Sequence, residues 1–150
     1  MRRHDRPLVG RDAELAALQQ AWHEATTQRT VRTVTLVADA GFGKSRLVLE
    51  VIDRIAAGAR VLAGRCLPYG EGITFWALAE MVRQAAAIHE VDGGEDAVAK
   101  LEALLAPAED ARAVAEAIAQ LAGLVETRGV VEEGFWAVRR LFARLARDRP

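Results

Sequence analysis

The sequence predicts an α/β fold, carried only in part, on three observations. A short apolar run rich in β-branched residues, Val34 to Val37, leads into a glycine-bearing loop and then an amphipathic helix. A second apolar stretch, Arg60-Val-Leu-Ala-Gly-Arg-Cys66, follows that helix. Two strands joined by a helix form a βαβ unit, so their pairing is expected to be parallel, directly or with another strand between. The remaining periodic stretches repeat at helical spacing, for a total of about six helices. Such a set cannot complete a parallel sheet covered on both faces, and the chain ends where a third strand is expected.

In order along the chain, residues 1–7 (Met-Arg-Arg-His-Asp-Arg-Pro) read as a flexible N-terminal segment. After Pro7 and Leu8-Val9-Gly10-Arg11 a helix begins, with Leu15, Leu18 and Trp22 on one face and Asp12 and Glu14 complementing its N-terminal dipole. Residues 26–32 connect it to the first strand. Past the loop, Leu47, Val48, Val51, Ile52 and Ile55 line one helix face, and Gly58 is a C-terminal stop. The second strand ends near Cys66, and Gly70-Glu-Gly72 is a turn. A helix from about Phe75 to His89 turns Leu78, Met81, Val82 and Ala85 inward, and Asp92-Gly-Gly94 breaks it. Two Ala-rich helices follow, about 95–105 and 109–123, separated by Pro107 and closed by Gly123. The last helix, 132–147, carries Phe135, Val138, Leu141, Phe142 and Leu145 opposite Arg139, Arg140, Arg144 and Arg147. Its apolar face is expected to cover a sheet.

Composition narrows the function classes. The 150 residues suit one domain, and 51% hydrophobic against 27% charged residues allow a packed core. With 20 Lys and Arg against 21 Asp and Glu, the net charge of −1 gives no basis for nucleic-acid binding by the whole chain. Arg2, Arg3, Arg6 and Arg11 could touch an anionic partner, or belong to a solvated tail. One cysteine, Cys66, rules out an internal disulfide and a cysteine-based zinc site. No apolar run has the length of a membrane span and no signal-peptide core is present, so a soluble, cytoplasmic protein without membrane contact is expected.

The chemistry concentrates in Ala40-Gly41-Phe42-Gly43-Lys44-Ser45-Arg46. Strand, Gly-rich loop and a helix opening with Lys-Ser is the context of a phosphate-binding P-loop, and hence of a three-layer fold of the P-loop NTPase type. Gly41 and Gly43 let backbone N–H groups curl around a phosphate with no Cβ in the way, while the helix offers unpaired N–H donors and its positive dipole end. Lys44 reaches the β- and γ-phosphates, and the Ser45 hydroxyl is a ligand for Mg²⁺. The pattern G-x-x-x-x-G-K-[ST] would have glycine where this chain has Ala38. The alternative is a Gly-rich turn with Lys44 and Ser45 as ordinary residues of a helix start.

Hydrolysis needs more: an acid at the end of a buried strand to hold Mg²⁺, and a group that orients water. Glu95-Asp96, Glu109-Asp110 and Glu132-Glu133 each stand where a helix begins, and none follows an apolar strand. They are expected to be dipole-complementing charges. His4, His23 and His89 lack the spacing of a metal site, Cys66 is expected to be a core thiol, and Trp22, Trp76 and Trp136 to pack in core or interface.

Pro7-Leu-Val-Gly-Arg-Asp-Ala-Glu-Leu15, the loop, the stretch from Gly64 through Pro68 and Trp76 to Leu78, and Phe135-Trp-Ala-Val-Arg-Arg140 together resemble the AAA-type ATPase domain of the STAND class. The similarity covers residues 7–150 and is greatest to the version in actinobacterial regulators that carry adenylate/guanylate cyclase or LuxR-like DNA-binding domains. It implies that Val9, Gly10 and Arg11 lie over adenine and ribose, and that residues 8–150 are the N-terminal part of the domain, ending before the Walker B strand. It further implies ATP or ADP with Mg²⁺ as ligands and an attached output domain, with homo-oligomer assembly as part of the switch. The rival reading is a non-enzymatic interaction module on a decayed or truncated P-loop fold.

Overall fold

The structure, a computed structural model, describes residues 8–66, 75–126 and 131–148. Arg2, Arg3, Arg6 and His4, the Gly70-Glu-Gly72 turn and Val130 lie outside them. Six α-helices occur among the described residues: α1 (Asp12–Gln28), α2 (Lys44–Ile55), α3 (Trp76–Ala86), α4 (Gly94–Leu105), α5 (Ala111–Leu121) and α6 (Val131–Asp148). The chain divides into two compact units, Met1–Val61 and Leu62–Arg149.

In the first unit α1 and α2 pack through Leu15, Leu47 and Val51, with Leu8, Leu18, Leu36 and Ile55 against them. Helix α1 closes at Arg29, which takes the left-handed conformation at φ 53°. Helix α2 ends at Ile55, before the expected Gly58 stop. The parallel strand expected at Val34–Val37 does not form, and no strand occurs among the described residues. A strand exists through its ladder with a neighbour, and residues 31–39 have none, so Val37 stays 89% exposed. The α/β expectation is therefore not met by the described residues, which are helical or irregular.

The second unit is a helical bundle in which α3 packs on α4, α4 on α5 and α5 on α6. Val82, Leu101, Val114, Ile118 and Leu141 are fully buried at its centre. Each such side chain contributes roughly 1.5–3 kcal/mol through removal of apolar surface from water. Ala115, Ala119 and Ala137 are also fully buried, and their small size lets α5 and α6 approach closely. The apolar face of α6 thus packs on α5 rather than awaiting a sheet. Phe135 departs from the predicted face: it is exposed, with its ring edge-on to Phe75 at 5.4 Å between centroids. Arg140 forks onto the Asp110 carboxylate at the start of α5 and lies 4.9 Å over the Trp136 ring.

The second expected strand, 60–66, is also unladdered, but part of it is held another way. Gln84 on α3 accepts from the Ala63 N–H and donates to the Ala63 carbonyl, and the Glu80 carboxylate accepts from the Arg65 N–H. The geometry suits this: four residues of helix rise about 6 Å, close to the roughly 6.6 Å that two residues of extended chain cover. Gly64, between them, lies so near α3 that a Cβ would sit 2.2 Å from the Ala77 carbonyl oxygen. Cys66, expected in the core, is exposed, because the strand that would have buried it is not formed.

Between α3 and α4, Ala87 turns the chain at φ 51°. Lys100 donates to its carbonyl at 3.0 Å and to the Asp92 carboxylate, which also accepts from the His89 N–H at 2.7 Å. The Lys100 hydrogen bond, then that of His89, holds the Asp92 carboxyl below the ordinary carboxylate range.

Candidate phosphate-binding loop

The loop lies wholly in the first unit. Gly41 and Gly43 take φ of 85° and 78°, and Gly43 is the residue from which α2 springs. An added Cβ at either would meet nothing within 4 Å, so the requirement for glycine is conformational rather than one of space. The first N–H groups of an α-helix have no partner within it, and at α2 these belong to Lys44 and Ser45. They and the dipole make an anion-favouring end.

The Lys44 ammonium folds back over the loop and donates to the carbonyls of Ala38 and Asp39 at 2.6 and 2.8 Å. Ala38 in place of glycine leaves that contact intact, since it uses only the backbone oxygen. The Ser45 hydroxyl is exposed one residue on. Arg46 approaches Glu50 at 3.9 Å along the helix. Phe42 projects outward, 59% exposed.

The two predicted parts of the site, 9–11 and 40–46, meet through one side chain. Arg11 donates from Nη2 to the Phe42 carbonyl at 3.0 Å and from Nη1 to Glu14 at 2.6 Å. The hydrogen bond from Arg11 holds the Glu14 carboxyl below its ordinary range. Gly10 supplies the turn at φ 70°, and Val9 is 81% exposed. Glu14 was legible in the sequence only as a dipole-complementing charge; the Arg11/Glu14 spacing of three residues is the signal that pairs it with the site.

Other candidates separate from the loop. The acidic pairs stand at the starts of α4, α5 and α6, as helix-end charges should. Among the described residues no group of three His, Cys, Asp or Glu could hold a metal. A Mg²⁺ at the loop would therefore draw on Ser45, phosphate oxygens and water, a sparse protein contribution that suits this cation. Two surface cavities of about 620 and 590 Å³ lie in the second unit, one lined by Trp76, Glu80, Arg83 and His89, the other by Asp110, Glu132, Glu133 and Trp136. Neither includes a loop residue. Size alone does not make them the site of phosphate chemistry. No helix among the described residues is long and apolar enough to cross a membrane.

A sequence model of the AAA ATPase domain matches residues 7–150. No curated protein and no solved structure matches the chain.

Proposed function

The chain belongs to the AAA ATPase domain family, and from that premise we propose that it is the ATP-binding part of a nucleotide-dependent switch in a multidomain signalling or transcription regulator. The observation that carries the reading is the glycine-flanked loop at the start of α2 with Lys44 folded over it. The triphosphate would lie against the first N–H groups of α2. Lys44 would exchange its bonds to Ala38 and Asp39 for phosphate oxygens; its three donors allow that exchange one bond at a time. Ser45 would hold Mg²⁺, which when bound neutralises phosphate charge. Binding, release and assembly with further copies would then bias an attached cyclase or DNA-binding domain.

This segment is proposed to bind without turnover. Water attack needs a carboxylate in the Mg²⁺ shell and a group that orients the nucleophile. The acidic pairs here serve helix starts instead. Stabilising bound phosphates alone lowers the ground state and does not speed the chemical step.

Titration with a fluorescent ATP analogue, with and without Mg²⁺, tests the reading. Lys44→Ala is expected to weaken binding about 10- to 150-fold, the effect of losing a charged hydrogen bond of about 1.5–3 kcal/mol. Unchanged affinity with the helical signal intact would overturn it. Phosphate release that scales with protein and disappears in Lys44→Ala would overturn the absence of turnover. One observation favours a second reading, a protein-interaction module: the second unit has a core of its own, and Trp136 stands 52% exposed on its surface. Absence of ATP binding by a folded chain would favour it.

A further inference from the structure

We propose that Arg11, held by Glu14, is a positioning residue that aims the Gly43 N–H into the phosphate cradle, instead of a contact to adenine or ribose. The proposal rests on the nucleotide reading above. In a trans peptide the carbonyl of one residue and the N–H of the next point to opposite sides of the chain. The Phe42 carbonyl and the Gly43 N–H share one such plane. Arg11 Nη2 holds that carbonyl at 3.0 Å, and so fixes the direction in which the Gly43 N–H points.

Little else pins this plane. Gly43 carries one side of it with positive φ, and a Cβ there would touch nothing within 4 Å. Glycine crosses the conformational map at low cost, so the Phe42–Gly43 peptide can rotate if released. The Phe42 side chain is 59% exposed and gives no packing anchor. The preceding peptide is lightly held too, since the Phe42 N–H reaches the Asp39 carbonyl only at 3.4 Å.

Arg11 itself is well anchored. Its other arm meets Glu14 at 2.6 Å, in the first turn of α1, and the next residue, Leu15, is 5% exposed in the unit's core. The helix turn that carries Glu14 is therefore fixed by a buried leucine, and Glu14 in turn holds Arg11 on the loop. The planar guanidinium suits this role because its fork serves two acceptors at once, which a lysine ammonium does with less geometric control.

Binding of ATP and of inorganic tripolyphosphate to the full chain, measured by calorimetry, separates the roles. A positioning residue acts on the phosphate cradle, so Arg11→Ala should weaken both ligands by the same factor, about tenfold for one charged hydrogen bond. Arg11→Lys should recover part of the loss, and Glu14→Gln should show a smaller loss in the same direction. The Gly43 amide resonance should shift in each variant without ligand. Should Arg11→Ala not fold, Arg11→Lys and Glu14→Gln carry the same comparison. Loss of ATP affinity with tripolyphosphate unaffected, or no loss for either, would overturn the proposal and leave nucleotide binding standing. A folded wild-type chain that binds neither ligand would overturn the nucleotide reading itself, and the proposal with it.

Discussion

The two units of this chain solve the same problem with different means. Among the described residues, the core cluster of the bundle holds fifteen, mostly on helices that follow one another in sequence. Among the same residues, the core cluster of the loop unit holds three. That unit's apolar run, Val34 to Val37, is mostly exposed, because a strand needs a partner brought from elsewhere. Helical packing can be completed by neighbours in the chain; a parallel ladder cannot. The proposed phosphate site lies in the unit with the smaller core, and its loop is held by individual hydrogen bonds more than by packing.

The largest test of this contrast is truncation in each core. Leu101→Ala is expected to cost the bundle about 2–5 kcal/mol in chemical denaturation, at the upper end because surrounding helices hold the cavity open. Leu47→Ala, in the smaller core, is expected near the lower end of that range, since fewer neighbours resist collapse. Equal costs would break the contrast. Next comes Gly64→Ala, whose Cβ would meet the Ala77 carbonyl at 2.2 Å. Backbone does not yield as a side chain would, so about 1–3 kcal/mol should be lost, read as a lower melting temperature with no change in ATP affinity.

The smallest test is acid. Glu14 in one unit and Asp92 in the other have carboxyls held below the ordinary range. A depressed folded pKa gives stability that is complete above the unfolded value of about 4 and is lost as pH falls through the folded value. Both clasps should therefore be intact at neutral pH and release below the ordinary carboxylate range. Amide exchange should then show the loop around Phe42 loosening while the bundle core keeps its protection. Asp92→Asn should abolish the acid response of the α3–α4 turn.

Much of this was legible in the residues. All six helices follow from apolar periodicity and glycine stops, with boundaries shifted by a few residues: α3 closes at Ala86, short of His89, because Ala87 takes the left-handed turn that ends it. The loop was legible because its glycines, lysine and serine stand in fixed local order. What was not legible depends on partners distant in sequence. Val34–Val37 has the composition of a strand, but composition does not supply a neighbour. Phe135 has the spacing of a core residue yet packs edge-on against Phe75. The bond from Arg11 to Phe42 spans 31 positions, and no local pattern announces it.

The Gln84 amide at Ala63 has a consequence for how this chain behaves among copies of itself. An apolar stretch with free backbone groups is a template on which another such stretch can grow. Here a side-chain amide answers both the N–H and the carbonyl of one residue, and the Glu80 carboxylate caps the N–H two residues on. At Ala63 and Arg65 these side-chain groups already hold backbone that an incoming chain would need on that side. Unlike a strand, these groups offer no second edge of their own.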